Sequence, residues 1–83
     1  MATSMAGDRE HLPDEQFAYI DSRGQRHLPL ADSEQVRRAI TRFGRMRFES
    51  WQARQRAAYR ILAAAQRYGL EVDPEDDVSR ATR

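Results

Sequence analysis

The sequence predicts a small α+β domain in which an N-terminal β-hairpin packs on a two-helix hairpin, with flexible termini. One observation is a pair of strand-like segments joined by a turn signal over 17–30. The others are two segments, over 33–43 and 50–68, whose apolar residues recur at helical spacing. The chain has 83 residues and 40% of them are hydrophobic, which supports one domain, expected over 11–72.

Both ends of the chain are predicted to lie outside that domain. Residues 1–10 are small and polar and are expected to form a disordered tail, whereas residues 73–83 are expected to form a flexible acidic tail. No apolar run approaches the length of a membrane span. The N-terminus lacks the apolar core of a signal peptide, so we expect a cytoplasmic protein without a membrane partner.

The hairpin prediction rests on the turn between its strands. Residues 17–20 form the first strand, 21–24 the turn and 25–30 the second strand. Asp21 at the first turn position and Gly24 at the fourth suit a type I turn continued by a bulge. Four apolar side chains of the strands are expected to cover the helices: Phe17, Tyr19, Leu28 and Leu30.

The first helix has a capping signal and two distinct faces. Asp32 is the predicted N-cap, and Gln35 follows three residues later, as a capping box requires. At about 100° per residue, the apolar residues gather on one side and the arginines on the other. The apolar side is formed by Val36, Ala39, Ile40 and Phe43.

The second helix is expected to begin after Ser50 as N-cap and to end at Gly69, with Leu70 folding back on Ala65 in a Schellman motif. An alternative is one long helix over 33–68, because Gly44 alone argues for a break. The centre of the core is expected to contain Ile40, Phe43, Trp51 and Leu62.

Arg54 lies inside the apolar sector of the second helix, next to Trp51 on the helical wheel. Because arginine is rarely buried without a partner, its stem is expected to pack on Trp51. Its guanidinium is expected to meet an acid of the hairpin region, and the candidates are Asp14, Glu15 and Asp21.

Charge is unevenly distributed along a chain whose net charge is +1. Residues 37–69 contain nine arginines and one acid, whereas acids outnumber arginines on both sides of this segment. Such a basic middle is typical of an anion-binding surface, or of a fold whose acidic arms neutralise its own helices. The candidate nucleic-acid or anion-binding residues are Arg37, Arg38, Arg42, Arg45, Arg47, Arg56, Arg60 and Arg67.

No catalytic motif or cofactor site is predicted. His11, Asp14, Glu15 and His27 have no metal-ligand spacing, so they are interpreted as surface residues. The chain contains no cysteine, which excludes disulfides and thiolate metal sites, and it lacks a glycine-rich phosphate loop. The protein is therefore predicted not to be an enzyme and to bind no metal or cofactor.

The preferred interpretation is a non-catalytic binding module that presents an arginine-rich helical face to an anionic partner, with nucleic acid ahead of an acidic protein. The alternative is a protein–protein interaction adaptor or a small self-associating domain, because the core is small and aromatic residues lie near arginines. The stripe on the second helix is expected either to contact the partner or to be shielded by the tail acids. The stripe residues are Arg56, Arg60 and Arg67.

Several short segments also carry a family resemblance. They are Leu12-Pro13-Asp14, Phe17-Ala18, Leu28-Pro29-Leu30, Asp32, Val36-Arg37, Ala39-Ile40, Arg42-Phe43 and Ala64-Ala65 through Val72. This pattern resembles a small uncharacterised domain of actinobacterial and bacteriophage-related proteins. The family typically has His at the position of Gln35 and Asn at that of Arg38. The resemblance implies an architecture over about Leu12 to Val72 and no assigned activity.

Overall fold

A β-hairpin precedes three helices in the computed structural model, which describes residues 12–83. A short 3-10 turn leads into the first strand. In chain order, the regular elements are β1 (Phe17–Ile20), β2 (Arg26–Pro29), α1 (Ser33–Phe43), α2 (Trp51–Arg67) and α3 (Asp77–Arg80). The predicted α+β class, with an N-terminal hairpin packed on helices, is confirmed. The tail predicted over 1–10 lies outside the described residues.

The hairpin closes through a left-handed glycine, as predicted. The Gly24 N–H donates to the Asp21 carbonyl at 2.9 Å, and Gly24 has φ 81°. The Asp21 carboxylate accepts hydrogen bonds from the backbone N–H groups of Arg23 and Gln25, both at 2.9 Å. These bonds fix the turn and therefore the antiparallel register, which pairs Phe17 with Pro29, Tyr19 with His27 and Ile20 with Arg26.

Leu28 interrupts the regular geometry of β2. Its φ is 60°, in the left-handed region that bulky residues rarely adopt. Its side chain is nevertheless buried, as is that of Leu30. Burial of a leucine side chain stabilises a fold by ~1.5–3 kcal/mol, which offsets a left-handed backbone cost of about 1–2 kcal/mol.

The helix boundaries follow the predicted local signals. Asp32 Oδ1 accepts from the Gln35 N–H at 2.8 Å, and Gln35 Oε1 in turn accepts from the Ala31 N–H at 2.8 Å. At the far end of α2, Gly69 has φ 71° and its N–H donates to the Gln66 carbonyl. The Leu70 N–H donates to the Ala65 carbonyl at 2.8 Å, which completes the predicted Schellman motif.

The Asp32 cap gives a direct stability prediction. We expect Asp32→Ala to lower the free energy of unfolding by about 1 kcal/mol, because it removes the acceptor for an otherwise unpaired backbone N–H. Glu34→Ala, two residues away on the exposed side of α1, should cost about 0.5 kcal/mol or less. Urea denaturation of the two variants measures both values. Equal effects would show that the Asp32 bond contributes nothing specific.

The core lies between the hairpin and the helices. β1 packs on α2, and β2 packs on α1. Phe43, Ile61, Val36 and Val78 are the largest side chains that are fully buried. The alanines of α2 let the hairpin and α1 approach its backbone closely, and those buried are Ala57, Ala58, Ala64 and Ala65. Among the described residues, no helix has the length and apolar character needed to cross a membrane.

Trp51 does not belong to this core, so that prediction is wrong. Its side chain is 63% exposed, although Phe43 is buried as predicted. The space beside Phe43 is filled by Phe48, whose ring centroid lies 5.2 Å from that of Phe43 and 4.9 Å from that of Tyr19. Ile40 and Leu62, also expected at the centre, are partly buried at its periphery.

The C-terminal segment is folded, which corrects the prediction of a flexible acidic tail over 73–83. Val78 and Ala81 are buried against the helical pair. Because these two residues are three apart, one short helix presents both to the core. The Tyr59 hydroxyl donates to the Thr82 carbonyl at 3.1 Å and fixes the end of the segment on α2.

Gly44 separates α1 from α2 and makes room for the C-terminal segment. The predicted break is confirmed, and its φ of −67° shows that no left-handed conformation is involved. A Cβ atom at this position would overlap the carboxylate of Asp77, in α3. The absence of a side chain at Gly44 therefore lets α3 lie against the end of α1.

Candidate anion-binding site

The structure places seven of the eight predicted arginines on two surfaces. All eight are exposed. Those of α1 and the following connection lie on the β2 side of the molecule, where clefts are lined by Arg37, Arg38, Arg42 and Arg45. Those of α2 line clefts beside β1, and they are Arg56, Arg60 and Arg67. The hairpin separates the two groups, and Arg47 lines neither set of clefts.

Arg42 is the centre of the first group. It lines three recesses, of about 430, 300 and 200 Å³. The largest recess, which we call the α1–β2 cleft, is lined by Arg26, His27, Leu28, Pro29, Arg42, Arg45 and Met46. Arg26 was missed by the sequence reasoning. The predicted hairpin placed it in the second strand, over 25–30, but not beside the end of α1.

The arginines around the α1–β2 cleft are weakly neutralised. Arg38 pairs with Glu34 at 3.3 Å and Arg26 pairs with Asp14 at 3.0 Å, and all four side chains are exposed. Exposed ion pairs of this kind stabilise a fold by about 0–1 kcal/mol. An incoming anion therefore readily replaces the carboxylate of each pair. Within residues 12–83, no ion pair involves Arg42. The cleft therefore has a net positive charge that the fold leaves uncompensated.

Arg37 and Arg45 extend this positive surface beyond the cleft. Within the part of the chain that the structure describes, neither forms an ion pair. Arg37 borders the 300 Å³ recess together with Arg38, Thr41, Arg42 and one acid, Glu34, which pairs with Arg38. A guanidinium presents forked N–H donors that match the oxygens of a phosphate group. This surface can therefore bind several neighbouring phosphates at once.

His27 is held rigidly on one wall of the cleft. Its ring stacks on that of Tyr19, with centroids 5.4 Å apart and an interplanar angle of 26°. Its Nε2 lies 2.9 Å from Asp21 Oδ2. This hydrogen bond, together with the backbone bond from Gln25, holds the pKa of the Asp21 carboxyl below its usual value. The sequence alone suggested a plain surface residue, whereas the register observed in the structure pairs His27 with Tyr19.

The second arginine group is partly structural. Arg60 Nη1 donates to the Phe17 carbonyl at 3.0 Å and so occupies an acceptor at the edge of β1. Arg56 and Arg60 line a cleft of about 300 Å³ that also contains Glu49. Hydrogen bonds from the hydroxyl and the backbone N–H of Ser22 hold the pKa of Glu49 below its usual value, so this carboxylate is ionised at neutral pH. It makes the second cleft a poorer site for an anion.

The acidic C-terminal segment does not shield the arginine stripe of α2. Within residues 12–83, no ion pair joins a tail acid to Arg56, Arg60 or Arg67. The segment lies instead on the flank of α2 that carries Tyr59. On the helical wheel, Tyr59 is about 60° from Arg56, about 80° from Arg67 and about 100° from Arg60, so the segment lies beside the stripe and not over it.

Arg54 lies beside Trp51, but its guanidinium is not where it was predicted. The guanidinium carbon lies 5.9 Å from the centre of the Trp51 ring system and 5.0 Å from that of Phe43. The predicted ion pair with Asp14, Glu15 or Asp21 is not formed. Asp14 bonds Arg26 and Asp21 bonds His27, while two aromatic faces accept the Arg54 cation through cation–π contacts.

A different surface of α2 is aromatic. Trp51, Tyr59 and Tyr68 are 63%, 55% and 37% exposed. Both tyrosine hydroxyls are bonded, that of Tyr59 to the Thr82 carbonyl at 3.1 Å and that of Tyr68 to the Ala31 carbonyl at 2.7 Å. Trp51 and Tyr59 project from a side of the helix whose other exposed residues are uncharged, namely Gln52, Ala63 and Gln66.

Neither a metal site among the described residues nor a similarity to known proteins indicates a further function. Among residues 12–83, no group of three or more His, Asp or Glu side chains is placed to hold a metal ion, and His11 lies outside this range. Comparison with protein-family models, curated proteins and solved structures found no match to this chain. The family resemblance of its sequence segments therefore stays a prediction.

Proposed function

We propose that the protein is a non-catalytic cytoplasmic module that binds the phosphate backbone of a nucleic acid in the α1–β2 cleft. The observation that carries this proposal is the position of Arg42, which has no ion-pair partner within residues 12–83 and borders three recesses. Other arginines continue the positive surface on both sides, namely Arg26, Arg37, Arg38 and Arg45. Such a row of guanidiniums suits a chain of phosphates better than a single anion.

The salt dependence of binding tests this function. We expect the logarithm of the affinity for nucleic acid to fall linearly with the logarithm of salt concentration, with a slope of about −0.7 to −0.9 per phosphate contacted. Arg42→Ala should weaken binding and reduce the magnitude of that slope by about one. Fluorescence anisotropy with labelled oligonucleotides at several salt concentrations measures both quantities.

Arg67→Ala is the matched control, because Arg67 is an exposed arginine on the other side of the hairpin. It changes the net charge as Arg42→Ala does but leaves the α1–β2 cleft intact. We expect a smaller loss of affinity and an unchanged slope. Identical effects of the two variants, or no binding to any nucleic acid at low salt, would contradict the proposed site.

A protein partner is the second candidate, favoured by the exposure of Trp51 and Tyr59 on α2. Exposed aromatic residues of this kind are common anchors at protein interfaces. Such an interface would also serve self-association of the chain. Binding through this surface should be nearly independent of salt and should be weakened by Trp51→Ala but not by Arg42→Ala.

A further inference from the structure

We propose that the α1–β2 cleft accepts single-stranded nucleic acid in preference to a duplex, with one base stacked on the imidazole of His27 and neighbouring phosphates on Arg42 and Arg45. This inference rests on the proposed function and specifies its ligand. Three features of the cleft support it: its lining by both α1 and β2, the position of His27 and the absence of amide side chains among the described residues that line it.

The shape of the positive surface argues against a duplex. Proteins that bind duplex DNA in its major groove insert a protruding helix or β-ribbon into a groove about 12 Å wide. Here Arg42 and Arg45 face a recess whose opposite wall is β2, through Arg26 and Pro29. The recess has a volume of about 430 Å³, within the range of about 300–1,000 Å³ typical of small-molecule sites. We therefore expect an unpaired nucleotide to enter it more readily than a paired one, whose base is held in the duplex stack.

His27 supplies an aromatic surface inside this recess. Tyr19 covers one face of its ring, and Asp21 is bonded to Nε2 at the ring edge. The side chain remains 32% exposed, and it lines the cleft whereas Tyr19 does not. The exposed part of the ring is therefore available at the cleft. Since Tyr19 and Asp21 fix the ring, little side-chain entropy is lost when a base stacks on it.

The surroundings of His27 fit a nucleotide. Met46 and Pro29 provide apolar contact beside the ring, and Arg42 and Arg45 supply the positive charge. Proteins that bind single strands combine the same two components, a basic groove for the backbone and aromatic side chains for the bases. In this cleft, the two components lie within one recess.

The cleft has little capacity to recognise a particular base. Gln35 is the amide side chain that borders the smallest recess, and its Oε1 already accepts the Ala31 N–H. Base identity is usually read by amide and guanidinium groups that bond to base edges. The arginines here are committed to phosphates in this proposal. We therefore expect weak sequence preference, as is usual for stacking-based binding.

The test compares labelled single strands about 12 nucleotides long, within the site sizes of single-strand binding folds, with duplexes of the same sequence. We expect the single strand to bind at least about tenfold more tightly at equal salt, a difference that one stacked base can supply. A 2-aminopurine in the strand should lose fluorescence on binding, because stacking on an aromatic ring quenches it. An affinity for duplex equal to or above that for single strands would overturn the inference.

Two variants isolate the role of the His27 ring. His27→Phe keeps an aromatic face on Tyr19, whereas His27→Leu keeps apolar bulk without an aromatic face. We expect His27→Phe to retain the affinity and the 2-aminopurine quenching, and His27→Leu to lose about tenfold in affinity together with the quenching. Both variants lose the bond to Asp21, so any general effect on the hairpin is shared, and thermal unfolding reports it separately.

The outcomes separate this inference from the proposed function. Equal affinities and equal quenching for His27→Phe and His27→Leu would exclude stacking on His27, even if Arg42→Ala still reduced the salt dependence. If the wild-type chain bound no nucleic acid at low salt, the proposed function and this inference would both be overturned. Retention of single-strand preference and of the difference between the two variants would establish both.

Discussion

Phe43→Ala is expected to reduce the free energy of unfolding by about 3–5 kcal/mol, the range measured for truncating a fully buried phenylalanine. Phe43 is 1% exposed at the end of α1, and its ring contacts both Phe48 and the guanidinium of Arg54. Truncation removes the apolar burial, leaves a cavity and deprives Arg54 of one aromatic face. In a domain of this size, that loss is a large part of the total stability.

Trp51→Ala is the informative control, because the sequence alone assigns both residues to the core. Trp51 is 63% exposed, so its truncation should cost about 1 kcal/mol or less, mainly through the contact with Arg54. Thermal and urea unfolding of the two variants give the comparison. A cost for Trp51→Ala as large as that for Phe43→Ala would mean that Trp51 is packed in solution and that this part of the fold is wrong.

Val78→Asp is expected to destabilise the domain by more than about 3 kcal/mol, since it leaves an unpaired charge at a buried position. Val78 is fully buried between α3 and the helical pair. We therefore expect α3 to detach from the helices, with a fall in the melting temperature of more than about 12 °C for a domain of this length.

Arg80→Asp tests whether this effect depends on burial. Arg80 lies two residues further along the same short helix and is exposed, so the same new carboxylate should cost about 0.5 kcal/mol. Circular dichroism melts of both variants measure the difference. If Val78→Asp were as harmless as Arg80→Asp, the segment would be the loose tail that its composition predicts.

The sequence predicts the environment of Phe43 correctly and that of Trp51 wrongly. Phe43 and Trp51 both lie in apolar sectors of their helices, and periodicity treats them alike. The structure distinguishes them because Phe48, in the connection between the helices, packs on Phe43 and Tyr19. A connecting segment has no periodicity from which its contacts could be derived.

The candidate site was predictable to a similar extent. The basic segment and its individual arginines are visible in the sequence. The division of the arginines into two groups is not visible. It arises because the hairpin lies across both helices, with β1 on α2 and β2 on α1.

The sequence by itself determined the features that depend on neighbours a few residues away. These are the turn closed by Gly24, the cap at Asp32 and the Schellman motif at Gly69. Each is a hydrogen bond or a backbone conformation within one short segment, so residue type and spacing suffice to specify it.

Only the tertiary structure decided which apolar and charged side chains share a surface. It exposed Trp51, buried Val78 and brought Arg26 and His27 of β2 to the side of Arg42 in α1. These outcomes depend on how separate elements pack together in the core. Several side chains of similar hydrophobicity would fit a given core site, and the close packing of the whole fold decides which of them occupies it. Composition and periodicity show that a residue is apolar or basic, but they do not show which distant residue it contacts.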